Sequence, residues 1–146
     1  MVEIRHDAGP IAWDDRLLTG VEVIDMQHKN LLNMVNDAYV SLSDTSSPEA
    51  LQRITKELLS YAIYHFQTEE SLMREYRYDE ERTEDAEAHR REHRMFSGKV
   101  VSARRNMMDG DKEQIFELLD FLKSWITSHI SQTDKKLGNF LAGRMD

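Results

Sequence analysis

The sequence predicts an all-α protein: an up-down-up-down antiparallel four-helix bundle with an N-terminal arm and a short C-terminal tail. Apolar residues recur at helical spacing in four successive stretches. The two prolines are Pro10 and Pro48, so from Glu49 onward nothing interrupts a helix. The stretches are joined by short connections, which make successive helices antiparallel.

An irregular arm ends near Gly20. In the first helix Val21, Ile24, Leu31, Leu32, Met34 and Val35 follow helical spacing, up to the polar cluster Ser43-Asp44-Thr45-Ser46-Ser47-Pro48. Ser47 or a neighbour caps the second helix with Pro48 at its first position, and Leu51, Ile54, Leu58, Leu59, Ala62, Ile63 and Phe66 carry its stripe toward Tyr76. A third helix runs from about Glu80 through His89, His93, Phe96, Val100 and Val101 to an Asp109-Gly110 stop. The fourth runs from about Asp111 through Phe116, Leu119, Phe121, Leu122 and Ile126 to about Thr133. The tail holds Leu137-Gly138-Asn139-Phe140-Leu141, a short turn packed on the end of the bundle. One domain over residues 1–146 follows, with the arm at 1–20, the bundle at about 21–134 and the tail at 135–146.

Composition narrows the function. The 146 residues carry 19 basic and 27 acidic side chains, a net charge of −8. No window approaches the roughly 18 uninterrupted apolar residues of a membrane span. An acidic chain lacks the basic footprint of a nucleic-acid binder, and Arg90, Arg91 and Arg94, flanked by acids, read as a solvated helix face. The opening has no apolar run of about 7–15 residues behind a basic start, which places the chain in the cytoplasm. Cysteine is absent, so disulfides, iron–sulfur clusters, thiolate zinc sites and cysteine nucleophiles are excluded. Any metal must be held by His, Asp and Glu.

The six histidines are His6, His28, His65, His89, His93 and His129; all but His6 fall inside predicted helices, and each helix carries at least one. His65 and Glu69 are four residues apart, a rotation of about 40°, so both project from one face. His89 and His93 repeat that spacing. His129 and Asp134 are five apart, about 140° on a regular helix, and can meet only where the helix ends or distorts. A single histidine near an apolar stripe is ordinarily a hydrogen-bonded core residue. Five histidines and two carboxylates converging from four helices would be desolvated without return unless a metal joined them. With no thiolate, this set suits borderline first-row ions and is too large for one tetrahedral zinc; two ions bridged by the carboxylates fit better. A ferritin-like centre needs Glu-x-x-His on two helices. Here Asp25, Ala62, Ala86, Arg90 and Ile126 stand three before the histidines.

From about Trp13 to about Leu141 the chain resembles the hemerythrins in their bacterial form. The segments that carry the resemblance are Trp13-Asp-Asp-Arg-Leu-Leu-Thr-Gly20, Ile24-Asp-Met-Gln-His28, His65-Phe-Gln-Thr-Glu69, His89-Arg-Arg-Glu-His93 and His129-Ile-Ser-Gln-Thr-Asp134, in the family's order. The resemblance implies one iron held by His89, His93 and His129, a second by His28 and His65, and bridges by Glu69, Asp134 and an oxo or hydroxo oxygen. It implies a saturated three-histidine iron and an open two-histidine iron that takes dioxygen reversibly. Leu31, Phe66, Trp125, Ile126 and Ile130 would then surround the open position, keeping it dry. Asp25, Glu70 and Glu92 are candidates to orient imidazoles through the second ring nitrogen, although the helix pattern turns Glu70 and Glu92 toward solvent. Trp13 and Met73 read as packing residues.

Other readings explain less. His89-Arg-Arg-Glu-His93 also fits an inverted zincin pattern with Glu92 as base, but leaves three bundle histidines unexplained. A di-iron redox protein acting on peroxide or nitric oxide, or handling iron, shares the site and would show turnover. A purely structural bundle would bind no stoichiometric iron. Within the oxygen-binding reading, storage, delivery to an oxygen-using enzyme and sensing through a signalling partner stay open.

Overall fold

The computed structural model describes residues 13–44, 48–106 and 112–145. The expected arm through residue 12, the Ser47 cap, the Asp109-Gly110 stop and the side chain of Leu51 lie outside them. Among the described residues every regular element is helical: α1 (Glu22–Asp44), α2 (Pro48–Glu75), α3 (Tyr78–Glu81), α4 (Thr83–Asn106), α5 (Lys112–Ser128) and α6 (Lys135–Ala142), with a 3₁₀ turn at Asp15–Leu17 and a π-helical stretch at His129–Asp134. Helix α1 packs on α2 and α5, and α4 closes the ring by packing on α2 and α5. This is the expected four-helix bundle.

The interior is layered along the bundle axis. At one end Leu31, Leu32, Val35, Leu58, Ala62, Phe66, Phe96, Val100, Leu119, Leu122, Ile126 and Ile130 form a large apolar cluster. At the other, Val21, Ile24, Met73, Tyr78, Ala86, Leu137, Phe140 and Leu141 form a smaller one. Helices α1, α2 and α4 pass from one cluster to the other, as α5 does through the π-helical stretch and α6, and a histidine or carboxylate stands at each crossing. His28 lies between Ile24 and Leu31, Glu69 between Phe66 and Met73, and His89 and His93 between Ala86 and Phe96. The polar residues therefore form one slab between two hydrophobic walls that hold the helices in register. Met73 is fully buried in the smaller cluster, and Trp13 packs partly buried against the larger one, both as packing residues.

Two expectations are corrected. The third helix does not start cleanly at Glu80: α3 is a single turn, preceded by Arg77 in the left-handed region at φ 69°, and α4 begins at Thr83. The tail is not a turn. The fourth helix continues through the π-helical stretch into α6, because Leu137, Phe140 and Leu141 recur at helical spacing and complete the smaller cluster. Glycine and asparagine in that segment mask its helicity in the sequence. Gly138 is there for contact: a Cβ on it would lie 2.7 Å from Thr19 Cβ and would collide with the Thr19 carbonyl oxygen.

Candidate metal centre

Helices α1, α2, α4 and the π-helical end of α5 bring His28, His65, Glu69, His89, His93, His129 and Asp134 into one cluster in which no residue is more than 3% exposed. The five-residue gap between His129 and Asp134 is resolved by backbone: the π-helical stretch spans those two residues, and its i→i+5 hydrogen bonding returns residue 134 to the face of residue 129.

Both carboxylates divide their oxygens between two histidine groups. Glu69 Oε1 lies 3.1 Å from His89 Nε2, 3.0 Å from His93 Nε2 and 3.9 Å from His129 Nε2. Its other oxygen, Oε2, lies 3.1 Å from His65 Nε2 and 3.4 Å from His28 Nε2. Asp134 Oδ1 stands 3.0 Å from His89 Nε2 and 3.1 Å from His129 Nε2, while Oδ2 is 2.7 Å from His28 Nε2. The donor atoms form two sets, Glu69 with His89, His93, His129 and Asp134, and Glu69 with His28, His65 and Asp134, each within 4.8 Å.

These donors fit metal ions better than they fit one another. His28 Nε2, His65 Nε2, His129 Nε2, Glu69 Oε2 and both Asp134 oxygens are buried without a hydrogen bond of acceptable angle. Each such group costs about 1–3 kcal/mol if left unsatisfied. Donors at right angles around an ion with bonds of about 2.1 Å are themselves about 3 Å apart, close to most of the separations above.

The metal-free electrostatics reflect the same crowding. Burial alone would lower the His28 and His89 pKa values, but Asp134 and Glu69 outweigh it and raise both to about 9. His129 is raised by the same carboxylates against the same burial. Burial favours neutral Glu69 and Asp134, yet the surrounding imidazoles hold both carboxyls below their ordinary range. Protons stand in for cations here, and a bound metal displaces them.

The outer nitrogens of His65, His93 and His129 are each held by a different side chain. His93 Nδ1 meets Glu70 Oε2 at 2.8 Å, and its ring stacks on Phe66 at 3.9 Å and 11°. His129 Nδ1 meets Glu92 Oε1 at 2.6 Å, Thr133 Oγ1 donates to the same oxygen at 2.8 Å, and Trp125 stacks on the imidazole at 4.3 Å and 13°. These hydrogen bonds keep Glu70 and Glu92 ionised by lowering their pKa values. The helix pattern turned both toward solvent; half-buried, they are instead bonded to imidazoles.

Asp25 corrects its expected role. Its Oδ1 accepts from Thr19 N and Thr19 Oγ1, each at 2.8 Å, and Oδ2 accepts from Gly20 N at 3.2 Å, so it clamps the turn before α1 and, among the described residues, hydrogen-bonds to no imidazole. Gln27 takes the place expected of an acid. Its Oε1 accepts from His65 Nδ1 at 2.7 Å and its Nε2 donates to Thr68 Oγ1 at 3.2 Å. Sequence reasoning missed it because the contact crosses from α1 to α2, and no local spacing signals such a pair.

Leu31, Phe66, Trp125, Ile126 and Ile130 line a narrow space beside His28, His65, His129 and Asp134, too tight for a water molecule. Phe66 and Trp125 thus line this space and also stack on a histidine ring, Phe66 on His93 and Trp125 on His129.

The fold and site define a helical-bundle protein with a buried histidine–carboxylate centre for cations. The family described as "Hemerythrin HHE cation binding domain" matches residues 19–141, and the chain belongs to the hemerythrin family. It is 32% identical over 124 residues to the bacteriohemerythrin of Pseudomonas aeruginosa strain LESB58, covering 85% of this chain and 76% of the relative. It is 31% identical over 128 residues to the bacteriohemerythrin of Clostridium acetobutylicum, covering 85% and 95%. A crystal structure of wild-type hemerythrin matches with a TM-score of 0.79 and 26% identity, over 92% of this chain and 99% of that one.

Proposed function

We propose that the chain binds dioxygen reversibly at a non-haem di-iron centre, for storage, delivery or sensing. One iron would be held by His89, His93 and His129, the second by His28 and His65, with Glu69 and Asp134 bridging and an oxo or hydroxo oxygen completing the bridge. The observation that carries this reading is the split of both carboxylates, one oxygen toward each histidine group. When bound, the two irons supply the two electrons that dioxygen takes up and returns. The chain's own residues make such exchange orderly. With three imidazoles on one side and two on the other, His28 and His65 would hold the ion that keeps room for a ligand. There Leu31, Phe66, Trp125, Ile126 and Ile130 form an apolar wall that excludes water. The stacked rings and outer hydrogen bonds of His93 and His129 keep the opposite side rigid. No helix among the described residues is long and apolar enough to cross a membrane.

The test is metal analysis coupled to an anaerobic ultraviolet–visible titration in which dioxygen is added to reduced, iron-loaded protein and then removed. Two irons per chain and a charge-transfer spectrum that comes and goes with dioxygen support the reading. Irreversible oxidation with two irons would replace it with redox chemistry on peroxide or nitric oxide, and a single zinc would overturn it.

A further inference from the structure

The partners of the outer histidine nitrogens differ in charge between the two halves of the centre. On the three-histidine side His93 and His129 bond to carboxylates, Glu70 and Glu92. On the two-histidine side His65 bonds to the neutral amide of Gln27. Nδ1 of His28 and of His89 has no hydrogen-bond partner among the described residues, so neither changes the balance. The Arg90 guanidinium lies 3.7 Å from Glu70 Oε1 and bonds to Asp79, which offsets part of the Glu70 charge. Glu92 instead takes its second hydrogen bond from an uncharged donor, Thr133. Its charge is therefore the stronger of the two levers.

A carboxylate that accepts the Nδ1 proton makes the far nitrogen of the imidazole a stronger donor and adds negative charge beside the ion; both effects favour the higher oxidation state. A neutral amide orients the ring and adds neither. We propose that this asymmetry decides where the charge sits in the half-oxidised centre: Glu92 and Glu70, acting through His129 and His93, hold the three-histidine ion ferric, while Gln27, acting through His65, leaves the two-histidine ion ferrous. These three are positioning residues, and the inference rests on the di-iron reading above. Starting from two ferric ions, one electron from an added one-electron reductant reduces the ion beside His28 and His65. A second electron reduces the ion beside His89, His93 and His129. No bond between heavy atoms is made or broken in either step, and an oxo bridge that becomes hydroxo on reduction would take its one proton from the buffer.

The distinguishing experiment is anaerobic spectroelectrochemistry of the iron-loaded protein with a viologen mediator, comparing the wild type with Glu92→Gln and Gln27→Glu. Both substitutions keep side-chain length and a hydrogen-bonding oxygen. The wild type is expected to reduce in two resolved one-electron steps. Glu92→Gln should raise only the second potential and Gln27→Glu should lower only the first. A tenfold change in the ferric-to-ferrous ratio is about 59 mV for one electron, and shifts of that order are expected. A single two-electron step in the wild type overturns the inference without any variant. So do potentials that stay put in both variants, or shifts on the opposite steps, when two irons are retained. Fewer than two irons on the wild type overturns both this inference and the di-iron function. The titration uses no dioxygen, so irreversible oxidation by dioxygen would count against the function alone.

Discussion

Removing an imidazole from one end of the Glu69 carboxylate should cost a different ion from removing one at the other, because Oε2 faces His65 and Oε1 faces the three-histidine group. His65→Ala is expected to weaken iron retention at the two-histidine position and His129→Ala at the three-histidine position. Metal analysis reads both, and two irons with an unchanged oxygenated spectrum in both variants would refute the ligand assignment. The wall residues act differently. Ile126 and Leu31 are buried beside the narrow space next to His28 and His65 and make no polar contact there. A carboxylate at either position brings water with it, so Ile126→Glu or Leu31→Asp should speed autoxidation while circular dichroism stays helical. An autoxidation rate equal to the wild type's would show that these side chains do not guard the ligand. His65 and His129 stood out in the sequence because each falls within a predicted helix near its apolar stripe, whereas the apolar wall was named from the resemblance to the hemerythrins. Gln27 did not stand out, because its contact depends on how α1 lies against α2.

Helix α6 is tied to the centre through its own backbone, since it follows Asp134 without a break. Its seat on the arm depends on Gly138, where a Cβ would press against Thr19 backbone rather than a yielding side-chain tip. Gly138→Ala should therefore destabilise the fold by about 1–3 kcal/mol despite the better helix propensity of alanine. Chemical denaturation reads the change, and a gain in stability would mean the arm moves aside freely. On the other side of that contact Asp25 holds Thr19 and Gly20 with three hydrogen bonds, and Gly20 has φ +91°. Asp25→Ala should cost about 1–2 kcal/mol, as the loss of a helix-start cap does, with two irons still bound. Loss of iron instead would return Asp25 to the centre. The sequence expectation for this end of the molecule was the poorest. A π-helical stretch has no marker in residue type, and a glycine inside a helix looks like a stop until the segment it touches is known.

Across the whole molecule the buried polar slab makes metal-free stability depend on pH. His28 and His89 have folded pKa values near 9, above the ordinary 6.5. Their stabilising contribution is complete below about pH 6.5 and is lost as pH rises through about 9. Glu69 and Asp134 are shifted down, so theirs is present above the ordinary carboxyl range and is lost on acidification below it. Chelator-treated protein should thus melt at its highest temperature near pH 5–6 and lower at pH 9, whereas iron loading should flatten the alkaline fall by replacing those protons. Thermal melts across that range check it, and an alkaline maximum in the metal-free protein would contradict protonated imidazoles beside ionised Glu69 and Asp134. The sequence alone determined the four long helices, their antiparallel order and the same-face pairs His65–Glu69 and His89–His93. Each of these follows from local periodicity or from the short connections between helices. Tertiary structure decided the rest: the π-helical turn that returns Asp134 to the face of His129, the continuation into α6, the clamp role of Asp25, and the pairing of Gln27 with His65. All four depend on distances between residues on different elements, or on backbone choices made to satisfy such distances, and these exist only once the helices have packed.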